Sequence, residues 1–534
     1  MRRTALVVLS VALAAGLAVP AAAAPTPPAP PIPLGQVVPA PVSVRPNAAV
    51  GYNLSPTSVI SYGVGDSATR QIAQSLAGQL RPSTGYPLPV VPAAPFVSLP
   101  GISLTVGGGD ASWGSEGYQL AVDNNGVHIK ANSANGVHDG VQTLLQLLPA
   151  KYAAKSWQRG PWPVAGGEIT DYPRYSYRGA LLDVARHFFT VAEVERYIDE
   201  IARYKINYLQ LHLTDSQGWR LQINGWPRLT SIGGSSGVSA GGVRAGYYTQ
   251  ADYERIVRYA SSRYITVIPE IEGPAHFNAA LASYAELNCD GVAAPLFQGV
   301  GASPHEYACV TKDITYTFVD DVIRQVAALT PGPYLSIGGD EAAGIPAADY
   351  ATYLHRVQAI VAKYGKKLVG WQETAAAVDP ADTLINVWIP DPDDAGLKAA
   401  PARGGKLIMT PAWTSYMDMQ YSVDQPAPGV GNNWAGYIEV QDAYNWDPDT
   451  TQDGVSGPGV AGVNIPLFTE YVATPAEIDS LVFPRLPAIA ELGWSPPATH
   501  DWTSLRTRLA AQAPFWDQTG VHFYRSPQIP WPAR

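Results

Sequence analysis

The chain of 534 residues contains only two cysteines, Cys289 and Cys309, and only 15% of its residues are charged. Two cysteines cannot build a four-ligand zinc site, and the sequence has no His-Glu-x-x-His pattern. Lysine and arginine form no run or stripe, and the formal net charge is −10. This balance argues against nucleic acid or an anionic membrane as a partner. A neutral or weakly polar ligand fits the composition better.

The stretch "DPDTTQDG" at residues 447–454 is the one faint match to a calcium-binding loop. It lacks the acidic residue near the end of the loop that would complete the coordination shell. We therefore expect neither a metal ion nor another cofactor.

The first 24 residues have the pattern of a secretory signal peptide. Arg2 and Arg3 precede an apolar run, Ala5–Val19, and the small residues Ala21–Ala24 offer a cleavage site. The apolar run is short for a bilayer span, which disfavours the alternative of an uncleaved anchor. We expect a secreted, extracellular protein without membrane association after cleavage, and no later stretch reaches transmembrane length. In an exported protein the two cysteines are expected to form a disulfide.

Two regions precede the main part of the chain. Residues 25–40 are rich in proline and predict an extended linker. Residues 41–170 indicate a small, non-catalytic α+β domain. Within it, alternating apolar residues flank an Asn-Gly turn at 125–126, which predicts a β-hairpin. The segment 136–149 that follows has the apolar spacing of a helix.

From residue 171 to 520 short apolar strands alternate with helical segments. The candidate strands are "RGALLDVA", "NYLQLHL", "TVIPEIE", "YLSIGG", "KLVGWQE", "TLINVWI", "KLIMT" and "GVAGVNIPLF". Eight such units predict a (β/α)8 TIM barrel of the α/β class, preceded by the small α+β domain and followed by a C-terminal tail, 521–534. Active sites in such barrels lie at the carboxyl ends of the strands.

Carboxyl and aromatic side chains follow most of these strands. The acid pair Asp340-Glu341 comes directly after two glycines at the end of the fourth strand. The other candidate site residues are Asp215, His276, Trp371, Trp388, Tyr416, Asp418, Trp434, Phe468 and Glu470, with Arg178 near the start of the first strand. Asp183, Arg186, His187, His212, Glu270, Glu272 and Glu373 also follow strands without an assigned role.

These residue types in one place predict a glycosidase. Carboxyl groups carry out acid and base catalysis, and indole rings cover the C–H faces of sugars. Taken singly, each residue has a plainer explanation, because a barrel tryptophan is more often core and a rim aspartate is often part of a structural ion pair. The prediction depends on their convergence at several strand ends.

The chain resembles the β-N-acetylhexosaminidases of glycoside hydrolase family 20, most of all their secreted bacterial members. The resemblance runs from roughly residue 40 to 520, and the acid pair after two glycines is its most specific mark. The matching stretches are "YRGALLDVARHFF", "LHLTDSQGWR", "GGDEA", "GWQE", "DAYNWDP" and "FPRLPAIAELGWSP".

The resemblance implies a retaining, substrate-assisted reaction in which the substrate's 2-acetamido oxygen attacks the anomeric carbon and gives an oxazolinium intermediate. Glu341 would act as general acid and base, Asp340 would hold the acetamido N–H, and Tyr416 would orient the acetamido carbonyl. The resemblance further implies that the sugar is bound by Trp371, Trp388, Trp434, Phe468, Arg178 and Glu470, that Asp418 steadies Tyr416, and that Asp215 and His276 support the acids.

Several positions depart from the family pattern. Ser216 stands where members commonly have a second aspartate, and Glu272 and Ala275 replace the usual residues of the "PEIEGPAH" stretch. Phe468 replaces a tryptophan that stacks on the sugar. The acid pair and Tyr416 are retained, so the reaction type is expected to persist while the preference between GlcNAc and GalNAc stays open.

The expected function is therefore exo-acting hydrolysis of terminal β-linked GlcNAc or GalNAc in a glycan, chitooligosaccharide or glycoconjugate. One alternative is a lacto-N-biosidase-type enzyme that releases a disaccharide, although Arg178 and Glu470 favour the exo-acting enzyme. Another is a non-catalytic carbohydrate-binding barrel. A serine esterase is suggested only by "GGSSG" at 233–237, which lacks the flanking strand and helix of a nucleophile elbow. The oligomeric state stays open.

Overall fold

The structure is a computed structural model that describes residues 30–93, 99–425 and 429–533. The predicted signal peptide, 1–24, and residues 25–29 of the predicted linker lie outside the described residues. Within those residues, no helix combines the length and the apolar character needed to cross a bilayer.

The N-terminal region forms a mixed seven-stranded sheet in the order β1-β7-β5-β6-β4-β2-β3. Its strands are β1 (Ser43–Asn53), β2 (Val59–Tyr62), β3 (Val90–Pro92), β4 (Gly101–Val106), β5 (Tyr118–Val122), β6 (Gly126–Ala131) and β7 (Pro163–Asp171). Two helices, α1 (Ser67–Thr84) and α2 (Ala134–Leu147), pack against it. Strands β5 and β6 pair antiparallel around the Asn-Gly turn, so the predicted hairpin and the helix after it are confirmed.

Eight parallel strands then close into a barrel in the order β12-β13-β14-β15-β16-β17-β8-β9. The strands of this region are β8 (Tyr177–Asp183), β9 (Tyr208–His212), β10 (Thr214–Asp215), β11 (Gly218–Trp219), β12 (Thr266–Glu270), β13 (Tyr334–Ser336), β14 (Lys367–Trp371), β15 (Leu384–Val387), β16 (Lys406–Met409) and β17 (Val460–Leu467). The short pair β10 and β11 forms a separate hairpin. Each candidate strand of the sequence overlaps one barrel strand, and the predicted TIM barrel is confirmed.

Helices follow most barrel strands. They are α3 (Val191–Ala202), α4 (Arg228–Ser231), α5 (Gln250–Ser261), α6 (Asn278–Ser283), α7 (Asp313–Leu329), α8 (Ala347–Lys363), α9 (Ala395–Ala399), α10 (Ala412–Ser415), α11 (Val440–Tyr444), α12 (Pro448–Thr451), α13 (Pro475–Val482), α14 (Arg485–Trp494), α15 (Trp502–Ala510) and α16 (Ala513–Thr519). Capping boxes start α3 at Thr190 and α5 at Thr249, which satisfies backbone N–H groups that a helix leaves unpaired.

The predicted linker does not extend as far as residue 40. Leu34 and Val37 are buried in the core of the N-terminal domain, and Val38 is buried in that of the barrel. The Val38 N–H also donates to Gln146 Oε1 at 2.9 Å. The linker prediction is therefore wrong from Leu34 onward, because the apolar residues between the prolines gain more from burial than an extended chain would allow.

Specific contacts fix two loops and the C-terminal segment of the barrel region. Cys289 and Cys309 form the predicted disulfide. Asp447 and Asp449 of the calcium-like stretch contact Arg174 Nη2 at 2.7 and 2.8 Å, which gives them a structural partner. The predicted C-terminal tail packs on the barrel, since the Tyr524 N–H donates to Phe483 O at 3.0 Å.

Buried charges join the N-terminal domain to the barrel, both of which belong to the compact unit that starts at Pro31. Arg178, at the start of β8, is fully buried and forms an ion pair with Glu116. Lys205 Nζ lies 3.0 Å from Asp171 Oδ2. Trp494 donates its indole N–H to Asp171 Oδ1 at 2.9 Å and stacks on the guanidinium of Arg178.

We predict that Arg178→Ala lowers the free energy of unfolding by about 3 kcal/mol, because removing one member of a buried ion pair leaves its partner uncompensated. Urea denaturation measures this loss. Arg45→Ala is the control, since Arg45 pairs with Glu168 at 3.7 Å with its side chain 78% exposed, and its loss is expected to stay below about 1 kcal/mol. Equal losses in the two variants would contradict the assignment.

Candidate active site

A pocket of about 480 Å³ opens at the carboxyl ends of the barrel strands. All the predicted site residues except Arg178 line it. The pocket therefore collects side chains from both halves of the barrel, as expected for parallel strands whose carboxyl ends meet at one face.

The acid pair follows β13 through two glycines in the left-handed region. Gly338 and Gly339 have φ of 64° and 92°, values that favour residues without a Cβ. A Cβ at Gly338 would also collide with the carboxyl group of Glu272. Glu341 itself has φ of 53°, which is uncommon for a residue with a long side chain. The two glycines let the backbone turn so that both acids face the pocket.

His276 connects the acid pair to Asp215. Its Nδ1 lies 3.3 Å from Asp215 Oδ1, and its Nε2 lies 3.5 Å from Asp340 Oδ2 and 3.3 Å from Glu341 Oε2. Burial favours the neutral ring, but the carboxylates of Asp215 and Asp340 raise the pKa of His276 well above its ordinary value. The ring is therefore a cation that faces a carboxylate on each nitrogen.

Asp215 is fixed as an anion by its own cationic neighbours. Its Oδ2 lies 2.8 Å from Arg186 Nη2 and 2.9 Å from His212 Nε2. Burial would raise the pKa of Asp215, but the Arg186 guanidinium and His276 lower it well below its ordinary value. Asp215 therefore remains ionised and orients His276, in line with the predicted supporting role of both residues.

Arg178 is the predicted site residue that the structure places elsewhere, and its assignment to sugar binding is corrected. Arg178 is the second residue of β8 and Asp183 is its last, so Arg178 lies at the face of the barrel opposite the pocket. Arg186, three residues beyond the strand, lines the pocket and lies 3.5 Å from Glu470 Oε1. The position of each arginine relative to the strand end would have distinguished them in the sequence.

Aromatic rings form the walls of the pocket. Trp371 and Tyr416 are buried, while Trp434 is exposed at the mouth. The ring of Trp434 lies 5.9 Å from Trp388 and 5.8 Å from Tyr416 in edge-to-face geometry. The smaller ring of Phe468 lies 5.4 Å from Tyr416 and 6.2 Å from Trp371. Such walls exclude water and present apolar faces to a ligand.

Tyr416 keeps its proton at neutral pH, and the pKa of the neighbouring Asp418 is raised. Burial, together with the nearby carboxyl of Asp418, raises the pKa of Tyr416 well above its ordinary value. Burial and Glu470 raise the pKa of Asp418 well above its own. The Tyr416 hydroxyl is therefore a hydrogen-bond donor, and Asp418 accepts from the Phe468 N–H at 3.5 Å.

Further carboxyl groups near the acid pair had no role assigned from the sequence. Burial, Asp340 and Glu270 raise the pKa of Glu272 well above its ordinary value. Burial and Asp340 raise the pKa of Glu373 to about 7, and Glu373 Oε1 accepts from the Trp388 indole at 3.2 Å. Both residues follow barrel strands, which is the signal that could have identified them.

An acid pair in an aromatic-walled pocket at the mouth of a TIM barrel defines the class of glycoside hydrolases. The chain belongs to glycosyl hydrolase family 20. The family's catalytic-domain model matches residues 175–351 and 347–497, and its domain 2 model matches residues 35–172. The predicted family and enzyme class are confirmed, which sets aside the alternative of a non-catalytic barrel.

Known relatives agree in sequence and structure. A Cellulomonas fimi beta-N-acetylhexosaminidase is 38% identical over 79% of this chain and 83% of its own length. A Porphyromonas gingivalis beta-hexosaminidase is 36% identical over 77% of this chain, which spans 54% of that longer protein. The GH20 beta-N-acetylhexosaminidase from Streptomyces coelicolor superposes with a TM-score of 0.89 and is 50% identical, over 94% of this chain and 100% of its own.

We predict that Glu373→Gln flattens the pH dependence of stability. The pKa of Glu373 is raised from 4.5 to about 7 in the folded protein, so its stabilising effect is complete below about pH 4.5 and is lost as the pH rises through about 7. Between pH 5 and 8, the wild type should lose more unfolding free energy than the variant, by roughly 1–3 kcal/mol. Urea denaturation at both pH values measures this, and parallel profiles would contradict the assignment.

Proposed function

We propose that this enzyme is a secreted exo-β-N-acetylhexosaminidase that removes terminal β-linked GlcNAc or GalNAc by a retaining, substrate-assisted mechanism. The observation that carries the proposal is at Asp340. Its Oδ1 is buried in the pocket and has no hydrogen-bond partner among the described residues. A buried carboxylate oxygen without a donor is costly, and the N–H of a bound 2-acetamido group would supply one.

The acetamido group would act as the nucleophile. Asp340 accepts its N–H, and the Tyr416 hydroxyl donates to its carbonyl oxygen, which aims that oxygen at the anomeric carbon. Orientation of this kind can lower a barrier by several kcal/mol. As the carbonyl oxygen attacks, positive charge develops on the oxazolinium ring, and the carboxylate of Asp340 stabilises it.

Glu341 would transfer the proton. Its side chain is 51% exposed at the mouth of the pocket, where the leaving group departs. Glu341 protonates the glycosidic oxygen in the first step and accepts a proton from the attacking water in the second. Water opens the oxazolinium from the face that the leaving group left, so the product keeps the β configuration.

Arg186 and Glu470 would bind the hydroxyls of the terminal sugar, a role that the sequence analysis gave to Arg178 and Glu470. Charge-assisted hydrogen bonds suit a polyol, because the guanidinium donates to its hydroxyl oxygens and the carboxylate accepts from its hydroxyl groups. A mutant Streptomyces plicatus beta-hexosaminidase, 50% identical over 95% of this chain, is solved in complex with the product GlcNAc. This relative supports a single GlcNAc as the bound sugar.

Secretion is part of the proposal. The Arg2-Arg3 start, the apolar run Ala5–Val19 and the small residues Ala21–Ala24 support it, as does a disulfide in the folded chain. In a bacterial host that expresses the full chain, the enzyme should be recovered from the medium with its N-terminus at or after Ala21–Ala24. Recovery in the membrane fraction with Met1 intact would contradict cleavage.

Glu341→Gln tests the general acid. The variant should lose more than about 100-fold in kcat/KM, which reports the first step, on N-acetylglucosaminides with poor leaving groups, because these need protonation. It should lose far less on activated aryl N-acetylglucosaminides, and it should still bind a thiazoline mimic of the intermediate. Steady-state kinetics and calorimetry give both quantities. An equal loss on both substrate types would contradict the acid role.

Asp340→Asn tests the participation of the acetamido group. The variant should lower kcat by about 100-fold even on activated substrates, because the developing positive charge loses its anion. The wild-type enzyme should be strongly inhibited by the thiazoline and should leave aryl glucosides intact. Hydrolysis of a glucoside as fast as of its 2-acetamido counterpart would refute the mechanism, and faster release from an aryl lacto-N-bioside would favour the disaccharide-releasing alternative.

A further inference from the structure

The loop that Cys289 and Cys309 close, called here the disulfide loop (residues 289–309), lies along one side of the active-site pocket. Its residues Val300, Gly301 and Ala302 line the pocket. The disulfide fixes the ends of this loop. Export alone accounts for the presence of a disulfide, yet the loop that it closes also lines the active-site pocket.

The end of the disulfide loop fixes the backbone on both sides of His276. The Phe277 N–H donates to Glu306 O at 3.0 Å, and the Ala308 N–H donates to Pro274 O at 2.9 Å. The Asn278 side-chain amide donates to His305 O at 2.9 Å. His276 lies between these contacts with φ of 53°, a conformation that persists in a non-glycine residue only where its surroundings hold it.

The same loop reaches the backbone of the proposed acid. The Tyr307 hydroxyl lies 3.5 Å from Glu341 O. Glu341 and His276 share the same left-handed backbone conformation, with φ of 53° each, and their side chains meet at 3.3 Å. One loop therefore contacts two strained residues that must stay aligned with each other.

The disulfide loop also contacts His276 through a side chain, the carboxyl group of Glu306. Its Oε1 lies 3.6 Å from His276 Nδ1, the nitrogen that Asp215 also faces. The Glu306 side chain is only 6% exposed, and its Oε1 has no hydrogen-bond partner in the part of the chain that the structure describes. Glu306 does not line the pocket, and among the described residues its ion-pair partner is His276.

We propose that Glu306 is a positioning residue for the catalytic acid, acting through His276. The inference depends on the proposed role of Glu341 as general acid. Asp215 and Glu306 occupy the Nδ1 side of the imidazolium, one anchored by Arg186 and the other by the disulfide loop. Together they fix the ring so that its Nε2–H points at the acid pair.

The ring orientation matters for proton transfer. Nε2 lies between Asp340 and Glu341, so a rotated ring would no longer separate the two carboxyl groups or direct Glu341 toward the leaving oxygen. Small displacements of a catalytic group cost rate because proton transfer requires hydrogen-bond geometry. Loss of Glu306 should therefore impair the cleavage of substrates whose leaving group needs protonation and spare the cleavage of activated substrates, whose leaving group does not.

Glu306→Gln tests this inference because it removes the charge and keeps the shape. The expected result is a fall of about 10-fold in kcat/KM for an N-acetylglucosaminide with a poor leaving group. This loss is smaller than that expected from removing the general acid itself, because Glu306 acts through His276. For a dinitrophenyl N-acetylglucosaminide the fall should be under about 2-fold. Glu306→Asp should recover part of the loss on the poor substrate.

Glu286→Gln is the matched control, since it makes the same change at an exposed glutamate just before the loop. It should change neither substrate. All assays contain EDTA, because His276, Glu306 and Glu341 place donor atoms within 4.8 Å of one another and a bound cation would mask the effect. Thermal melting and thiazoline affinity check that each variant is folded.

An equal loss on both substrates, or no loss on either, would overturn the inference. Should Glu306→Gln fail to fold, the same substrate ratio in Glu306→Asp decides. The wild type and Glu341→Gln are measured in parallel to separate the two proposals. If Glu341→Gln, relative to the wild type, loses no more kcat/KM on the poor leaving group than on the dinitrophenyl substrate, the proposed acid is wrong. If Glu341→Gln shows the selective loss and the Glu306 variants do not, only the role proposed for Glu306 is overturned.

Discussion

Alternation of charge around His276 is the constraint on which the site depends. Arg186 faces Asp215, Asp215 faces His276, and His276 faces the acid pair, each contact within 3.5 Å. Without the two cations, Asp215 and the acid pair would repel one another across a short distance. The alternation lets two adjacent acids point into one small space.

The carboxyl groups in and around the pocket have pKa values that are shifted in opposite directions. Burial and neighbouring carboxyl groups raise the pKa of Glu272, Glu373 and Asp418, so protonation is favoured at these side chains, whereas the pKa of Asp215 is lowered. A neutral carboxyl is a donor as well as an acceptor. The site thus places carboxyl groups with lowered and raised pKa values in one pocket, which is how such a pocket supports acid and base chemistry together.

Local sequence patterns predicted most of the fold and the acid pair. They failed for residues whose position or role depends on tertiary contacts. The barrel strands were visible as short apolar runs, and Asp340 was visible because it directly follows one. Arg178 was misassigned because two arginines flank one strand, and only the strand's direction separates the pocket from the opposite face. Leu34 was assigned to the extended linker because prolines surround it in the sequence. Glu306 had no local signal at all, since its place beside His276 is set by a loop whose ends are joined by a disulfide.

The buried ion pairs beneath the barrel have a consequence for how the two domains can be exchanged or separated. Arg178 and Lys205 both meet carboxylates supplied by residues before the barrel begins, Glu116 and Asp171. A barrel excised on its own would leave Arg178 and Lys205 without their counterions. The N-terminal domain therefore neutralises buried charges of the catalytic domain at the face opposite the pocket, and the two cannot be separated without exposing those charges or leaving them uncompensated. A chimera would have to carry acidic residues at the positions of both Glu116 and Asp171.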